Sequence, residues 1–324
     1  MNFKHLSLYV AVAVGLLAAS CTAAPTFRQE AGTVWGTTYH ITYEASADLT
    51  DSILSTMRAV ELSLSAFEPK STLSRINAGT TTEVDSMFAE VYKAAYEVYT
   101  MSRGAFDPTV GPLVDLWGFG HKGRDMSEPD SAAVRGALQR VGMSKSRLAG
   151  TTLITDVEGM EFDFAAIAKG YGVDCVARML GRNGCDNYMV EIGGEVTVAG
   201  HNSTDRPWHI QIDAPTEDPG GAGIRVLEMT SGAVATSGNY RNYRARADGS
   251  RFGHTISPFT GYPIQTSIVS ATVRCDNCMM CDALATACMA MGVDDAVAML
   301  DSIGGTGYVL AVAEGDSLRI VSRL

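Results

Sequence analysis

Apolar residues recur at helical spacing in four stretches of the chain. The stretches cover residues 53–64, 88–98, 167–180 and 283–300. A period of three to four residues places apolar side chains on one face of an α-helix, which can then pack against a core. The pattern therefore predicts four helices with buried faces.

Short β-rich runs occupy much of the second half of the chain. They cover residues 188–192, 209–213, 225–229, 268–273 and 308–312. Runs of this length, bounded by turn residues, are typical of strands. They do not alternate with helices as regularly as a doubly wound parallel sheet requires. We therefore expect an α+β fold in which mixed or antiparallel sheets are covered by helices.

The first residues have the order of an export signal. Lys4 and His5 precede an apolar run at residues 6–18, and small residues lead to Cys21. The apolar run is too short for a convincing membrane-spanning helix. The sequence before Cys21 resembles a bacterial lipobox, although Ala18 stands where leucine is usual.

These features predict the organisation of the chain and its location. We expect residues 1–20 to be a lipoprotein-type signal peptide, residues 21–30 a short tether and residues 31–324 a single domain. A lipidated Cys21 would anchor the protein to a membrane of the bacterial cell envelope, facing the periplasm. Soluble secretion and a short uncleaved anchor are the alternatives.

Composition and charge narrow the possible partners. The chain has 324 residues, of which 46% are apolar, which suits a globular protein with a sizeable core. Its 25 basic and 36 acidic residues give a formal net charge of −11. This charge argues against nucleic acid as a partner, and any bound phosphate must be held by local groups.

Cysteines other than Cys21 allow three interpretations. The run from Cys275 through Cys278 to Cys281 has a spacing that could bind Zn²⁺ or an iron–sulfur cluster, but it lacks an obvious fourth ligand. A disulfide and free thiols are the alternatives. The six cysteines beyond Cys21 are Cys175, Cys185, Cys275, Cys278, Cys281 and Cys288.

Two pairs of residues have the chemistry of an anion or metal site. Asp163 and Lys169 lie near the predicted start of a helix, where an anion or a polar ring edge can bind. A capping Asp and a solvated Lys would also explain them. Asp282 and Thr286 are four residues apart in a helical pattern and so share a face. Their oxygens suit Mg²⁺ completed by a diphosphate, although an N-cap Asp beside a buried Thr is the alternative.

A histidine lies in a segment rich in turn residues. His254 is followed within nine residues by Pro258, Gly261 and Pro263. Such a rigid turn could present the imidazole as an acid or base near neutral pH, or the histidine could be structural. Gly193 and Gly194 form another turn that could bring backbone N–H groups to a phosphate or a ring, although paired glycines are common in ordinary tight turns.

Several blocks of sequence span nearly the whole chain after the signal. They are WGTTY at 35–39, LSAF at 64–67, STLSRIN at 71–77, GAFDPTVGPL at 104–113, LWGFG at 116–120, FD at 162–163, AKGYGVD at 168–174, IGGEV at 192–196, ATSGNY at 235–240, the turn with His254, and DALATA at 282–287. Taken together and in this order, the blocks resemble the FAD:protein FMN transferases, the ApbE-type family.

The resemblance implies a reaction and a set of site residues. The reaction is Mg²⁺-dependent transfer of the FMN half of FAD to a Thr or Ser hydroxyl of an exported redox protein, with release of AMP. His254 matches the family histidine implicated in the reaction. The implied FAD site comprises Trp35, Phe67, Ala105, Phe106, Asp107, Asp163, Lys169 and Ile256. The implied Mg²⁺ site comprises Ala166 through its carbonyl, Asp282, Ala285 and Thr286.

Some positions depart from the family pattern, and two other functions stay open. Ser257 and Asn239 each stand where Asp is frequent, and Glu191 stands where Asn is frequent. Hydrolysis of FAD to FMN and AMP in the same site is one alternative function. A flavin-binding or flavin-storage lipoprotein without catalysis is the other. Aromatic groups at Trp35, Phe67 and Phe106 suit stacking on flat rings but could also be core residues.

Overall fold

The structure is a computed structural model of the chain. It describes residues 24–122, 128–215, 223–238, 243–245, 251–315 and 317–324. The predicted signal peptide, Cys21 and Asn239 therefore lie outside the described residues. Within the described residues, no helix is long and apolar enough to cross a membrane.

Most strands belong to one antiparallel sheet of eight. Every neighbouring pair in the order β1-β2-β5-β6-β9-β12-β13-β14 runs antiparallel. The strands of this sheet are Thr26–Val34 (β1), Thr37–Ala45 (β2), Tyr188–Ile192 (β5), Glu195–Ala199 (β6), Ser231–Gly238 (β9), Ile268–Cys275 (β12), Gly307–Glu314 (β13) and Ser317–Arg323 (β14). The two-stranded ribbons are Ser146–Ala149 (β3) with Thr152–Thr155 (β4), Trp208–Asp213 (β7) with Gly223–Met229 (β8), and Tyr243–Ala245 (β10) with Arg251–Gly253 (β11).

Helices cover one face of this sheet. They are Thr50–Leu64 (α1), Thr72–Asn77 (α2), Ser86–Met101 (α3), Gly111–Leu116 (α4), Ser131–Leu138 (α5), Ala168–Arg182 (α6), Cys278–Ala290 (α7) and Val293–Asp301 (α8). The largest buried cluster combines apolar residues of α1, α3, α6 and α7 with residues of the central strands. The α+β prediction, with antiparallel sheet covered by helices, is confirmed.

The side chains of β6 alternate between the two faces of the sheet. In β6, Val196 and Val198 belong to the cluster that buries the β7–β8 ribbon on the face away from the helices. Successive side chains of a strand point to opposite faces, so Glu195 and Thr197 point toward the helices. Thr197 accordingly lies 3.4 Å from Asp174 of α6. The sheet therefore delivers a carboxylate, that of Glu195, to its helix-covered side.

Two boundaries differ from those predicted. The single helix expected at residues 283–300 is wrong, because α7 ends at Ala290 and α8 begins at Val293, with Gly292 as its N-cap. Glycine is a poor helix-interior residue, and it allows the chain to turn there. Residues 26–30, which the sequence placed in a tether, are paired with β2 as part of β1.

Candidate active site

The centre of the candidate site is a buried group of charges between α6, α7 and β6. Asp282 and Glu195 are each only 2% exposed. The ammonium of Lys169 lies 2.5 Å from Oε1 of Glu195. We call Lys169, Glu195 and Asp282 the charge cluster. The interpretation of Lys169 as a solvated surface lysine is therefore wrong.

Asp282 is held by helix α6. Its Oδ2 accepts a hydrogen bond from the backbone N–H of Gly170 at 3.0 Å. The alternative that Asp282 is a helix N-cap is wrong, because Asn277 caps α7 and Asp282 is the fifth residue of the helix. Thr286, one turn later on the same helix, lies 2.9 Å from the hydroxyl of Ser237 in β9. Asp282 and Thr286 thus occupy the shared face that their spacing predicted.

Burial and the neighbouring charges shift the pKa values of the three groups in the charge cluster. Burial raises the pKa of Asp282, although the nearby Lys169 opposes the shift. Burial likewise raises the pKa of Glu195, to about 8, again opposed by Lys169. The pKa of Lys169 is raised even though burial lowers it, because the charges of Asp282 and Glu195 favour its ammonium form. Two carboxylates around one ammonium favour an added cation.

A neighbouring carboxylate fixes the start of α7. Asp174 in α6 accepts hydrogen bonds from the backbone N–H groups of Cys278 and Met279, each at 2.9 Å. These N–H groups lie in the first turn of α7 and have no partner within the helix. Asp174 therefore links α6 to the helix that carries Asp282 and Thr286.

A second group of polar residues comprises Asp163, His121 and His254, and we call it the Asp163 group. The Oδ1 atom of Asp163 accepts a hydrogen bond from the backbone N–H of Ala165 at 2.8 Å, in the turn before α6. Burial raises the pKa of Asp163, and the positive charges that His121 and His254 can carry lower it. Asp163 is not the N-cap of α6, because that position is Ile167. The turn from Asp163 through Ala166 to Lys169 connects this group to the charge cluster.

His254 follows strand β11 and lies against an aromatic ring. Its ring centroid is 6.2 Å from that of Phe119, edge to face. Ile256, two residues on, is buried in an apolar cluster with Trp117. The hydroxyl of Ser257 accepts from the backbone N–H groups of Phe259 and Thr260 at 3.3 and 3.2 Å. Ser257 thus fills the turn-forming role for which an Asp side chain is also suited.

The three aromatic residues proposed for the flavin differ in environment. Phe67 is 73% exposed and has an edge contact with the ring of His121, at 6.2 Å between centroids. Phe106 is 3% exposed and belongs to the main core, which favours the core alternative for its ring over stacking on a ligand. Trp35 is partly buried in the turn between β1 and β2. A Cβ at Gly172 would lie 2.2 Å from its ring, so only glycine in α6 leaves room for it.

Asp107 uses its carboxylate for the protein itself. Oδ1 accepts from the N–H and hydroxyl of Thr109, and Oδ2 accepts from the N–H of Met143 at 3.0 Å. Burial raises the pKa of Asp107. Ala105 and Phe106 precede it in the same buried loop. This loop can therefore offer a ligand mainly its backbone groups.

The cysteine run contains a disulfide. Cys275 and Cys281 are bonded, which joins the end of β12 to the first turns of α7. Cys278 is a buried free thiol between them. The zinc and iron–sulfur interpretations are wrong, because the bonded pair leaves a single thiol in the run. Within the described part of the chain, no three His, Cys, Asp or Glu side chains are grouped to hold a metal.

Sequence reasoning missed two residues of the site as participants. Glu195 and Ser237 each lie within a block that carried the family resemblance, but neither had a role assigned. A signal for Glu195 was present: it is the single charged residue of the short strand β6, whose other residues are Val, Thr and Ala. Charged residues are almost never fully buried unless they are paired. A charged residue in this strand therefore indicated a buried ion pair with a residue elsewhere in the fold.

The fold and the site define a class of protein, an antiparallel α+β domain with a carboxylate-rich centre between sheet and helices. A sequence profile of the ApbE family matches residues 35–310, and the chain belongs to this family. It is 38% identical to the FAD:protein FMN transferase of Vibrio cholerae over 302 residues, 90% of each chain. It is 35% identical to that of Haemophilus influenzae, over 95% of this chain and 93% of the relative.

Solved structures agree with the fold. The flavin transferase ApbE from Vibrio cholerae superposes with a TM-score of 0.84 at 35% identity, covering 92% of this chain and 97% of the other. The apo flavinyl transferase ApbE of Pseudomonas stutzeri gives a TM-score of 0.83 at 32% identity, covering 92% and 95%.

Proposed function

We propose that this chain is a FAD:protein FMN transferase that requires Mg²⁺. The observation that carries the proposal is the charge cluster, whose Asp282 is buried one helical turn before Thr286 in a chain of the ApbE family. The names of the relatives support the reaction. FAD is the substrate, and the FMN half is transferred to a Thr or Ser hydroxyl of an acceptor protein.

The residues around Asp282 fit a magnesium ion. Mg²⁺ prefers hard oxygen ligands and is usually held by one or two carboxylates together with substrate phosphates. Asp282 and Thr286 would supply a carboxylate and a hydroxyl, and the carbonyls of Ala166 and Ala285 are the further candidates. The buried carboxylates of Asp282 and Glu195 outnumber the single ammonium of Lys169, which supports cation binding. Bound Mg²⁺ would supply charge neutralisation at the diphosphate of FAD.

The chain's own residues would then act on FAD and on the acceptor. Lys169, whose side chain is partly exposed, would face the anionic diphosphate, and Asp163 would face a polar edge of the substrate. Phe67 offers an open ring for stacking on a flat group of FAD, and Trp35 can line the same site beside α6. Ala105, Phe106 and Asp107 would contribute through their loop backbone, and Ile256 through apolar packing.

The transfer step exchanges one phosphorus–oxygen bond for another. The acceptor hydroxyl attacks the FMN-side phosphorus, the bond to the bridging oxygen breaks, and AMP leaves with that bond's electron pair. His254 would take the proton from the attacking hydroxyl. Its position within the field of Asp163 supports this role, because a neighbouring carboxylate stabilises the imidazolium that forms.

The location of the protein is part of the proposal. The signal-like segment and Cys21 support a lipid anchor on a membrane of the cell envelope. Export would place the disulfide Cys275–Cys281 in an oxidising compartment, where disulfides persist. The acceptor would then be an exported redox protein in the periplasm.

One experiment tests the proposal against both alternatives. The purified protein is incubated with FAD, Mg²⁺ and candidate exported acceptors, and every product is weighed by mass spectrometry. Attachment of FMN to the acceptor with equimolar AMP supports transfer. AMP and free FMN without labelled acceptor would indicate hydrolysis, and unchanged FAD bound to the protein would indicate a flavin-binding lipoprotein.

A further inference from the structure

Glu195 is a buried carboxylate that the proposed function counts toward the charge of the site but does not assign to the metal, to FAD or to the acceptor. It begins β6 directly after the turn at Gly193 and Gly194, and it faces the helices. One carboxylate oxygen, Oε1, contacts the Lys169 ammonium at 2.5 Å. The other, Oε2, is buried and has no hydrogen-bond partner among the described residues. A buried, half-satisfied carboxylate is costly and calls for a function.

Lys169 has two carboxylates within its field but pairs with only one. The charges of both Asp282 and Glu195 act on its ammonium, yet the ion pair is made with Glu195. Asp282 instead accepts the backbone N–H of Gly170. Full ionisation of the three groups leaves one net negative charge. Among the residues that the structure describes, the pairing therefore leaves the carboxylate of Asp282 without a cationic side chain in contact.

We propose that Glu195 is a positioning residue that holds the Lys169 ammonium and thereby keeps the Asp282 carboxylate available to a divalent cation. The proposal rests on the function proposed above and deepens it. Without the Glu195 charge, Asp282 is the remaining buried partner for the ammonium. Lys169 would then compete with the cation for the same oxygens, and the net charge of the cluster would be zero.

Comparison of four proteins distinguishes a positioning role of Glu195 from a metal-ligand role or a purely structural role. They are the wild type, Glu195→Gln, Lys169→Gln and the double variant. Formal cluster charges are then about −1, 0, −2 and −1, counted from one charge per ionised group. Binding of Mn²⁺ alone, as a spectroscopic substitute for Mg²⁺, is titrated by electron paramagnetic resonance. Asp282→Asn is the control that removes the carboxylate, and melting curves report on folding.

The expected pattern is non-additive. Glu195→Gln should weaken Mn²⁺ binding at least about tenfold, since unit charges a few ångströms apart interact strongly at a partly buried site. The double variant should bind within about threefold of the wild type, because the competing ammonium and its partner are removed together. Lys169→Gln should bind Mn²⁺ at least as tightly as the wild type, and Asp282→Asn should lose binding.

Other outcomes overturn the proposal. Weak binding in both Glu195→Gln and the double variant would make Glu195 a metal ligand. Unchanged binding in Glu195→Gln with a lower melting temperature would make it merely structural. If Glu195→Gln does not fold, the double variant, which removes the ammonium together with its ion-pair partner, still decides by matching or not matching the Mn²⁺ affinity of the wild type. Mg²⁺-dependent FMN transfer by the wild type, measured in parallel, tests the proposed function separately.

Discussion

Gly170 donates its backbone N–H to the buried Oδ2 of Asp282, at a point where α6 packs tightly against α7. A Cβ at position 170 would lie 2.3 Å from the carbonyl oxygen of Cys278 and 2.9 Å from the Cβ of Asp282. Both obstacles belong to α7 and cannot rotate away. The lack of a side chain at Gly170 therefore allows one helix to orient the candidate metal ligand of the other.

Gly170→Ala should damage both stability and activity. The added methyl must push α6 from α7, and overpacking of this kind costs about 1–3 kcal/mol. Gly181→Ala is the matched control in the same helix, because its new Cβ would meet nothing within 4 Å. It should be neutral or stabilise by up to about 1 kcal/mol. Urea unfolding and Mg²⁺-dependent transfer are measured for both, and equal behaviour of the two variants would contradict the packing.

Phe67→Ala should mainly weaken FAD binding, whereas Phe106→Ala should mainly lower the free energy of unfolding. Phe67 is exposed, so its loss should change the free energy of unfolding by no more than about 0.5 kcal/mol while weakening FAD binding. Phe106 lies in the core, and its loss should cost about 3–5 kcal/mol. Unfolding curves and FAD titrations measure the two effects. A Phe67→Ala protein with unchanged FAD affinity would remove this ring from the site.

The disulfide should support the fold but not the chemistry. Replacing Cys275 and Cys281 together with Ala removes a bond whose partners are six residues apart, worth about 2 kcal/mol by the loop-closure estimate. Alanine avoids burying a hydroxyl at Cys281, which is fully buried. The variant should melt at a lower temperature and keep substantial FMN transfer below that temperature. Loss of transfer in a folded variant would show that the bond is needed to hold Asp282.

Cys21→Ser should release the protein from membranes. The prediction follows from the lipobox-like residues before Cys21, since several acyl chains hold a protein stably on a bilayer. Membrane and soluble fractions are compared by immunoblot with the export signal intact, and the mass of the mature chain reports the modification. Membrane retention unchanged by the substitution would contradict the lipid anchor.

The fold was predictable where periodicity was strong. The strand at residues 188–192 and the helix that begins beside Lys169 appear as the pattern indicated. The N-terminal hairpin of β1 and β2 was missed, although β2 alternates between exposed and buried positions. Gly292 also passed unnoticed inside an apolar pattern. Local pattern alone does not show where tertiary packing stops a helix.

The spacing of one pair of candidate site residues was readable from the sequence, but the contacts of the site were not. The spacing of Asp282 and Thr286 placed both on one helix face, as the structure has them. No local pattern could show that Lys169 would contact Glu195, because the two residues lie on different elements that are distant in sequence. The burial of Phe106 likewise depends on elements distant in sequence. Contacts of this kind follow from the whole fold.

The central claim is that Asp282 holds the metal on which transfer depends. Mg²⁺-dependent AMP release and FMN attachment are measured for the wild type, Asp282→Asn and Thr286→Ala, beside an FAD titration and a melting curve. Asp282→Asn should abolish both products while FAD still binds, because an interaction needed in the transition state is lost. Thr286→Ala should be milder, since a neutral hydroxyl is more easily replaced. Full activity of a folded Asp282→Asn protein would contradict the account.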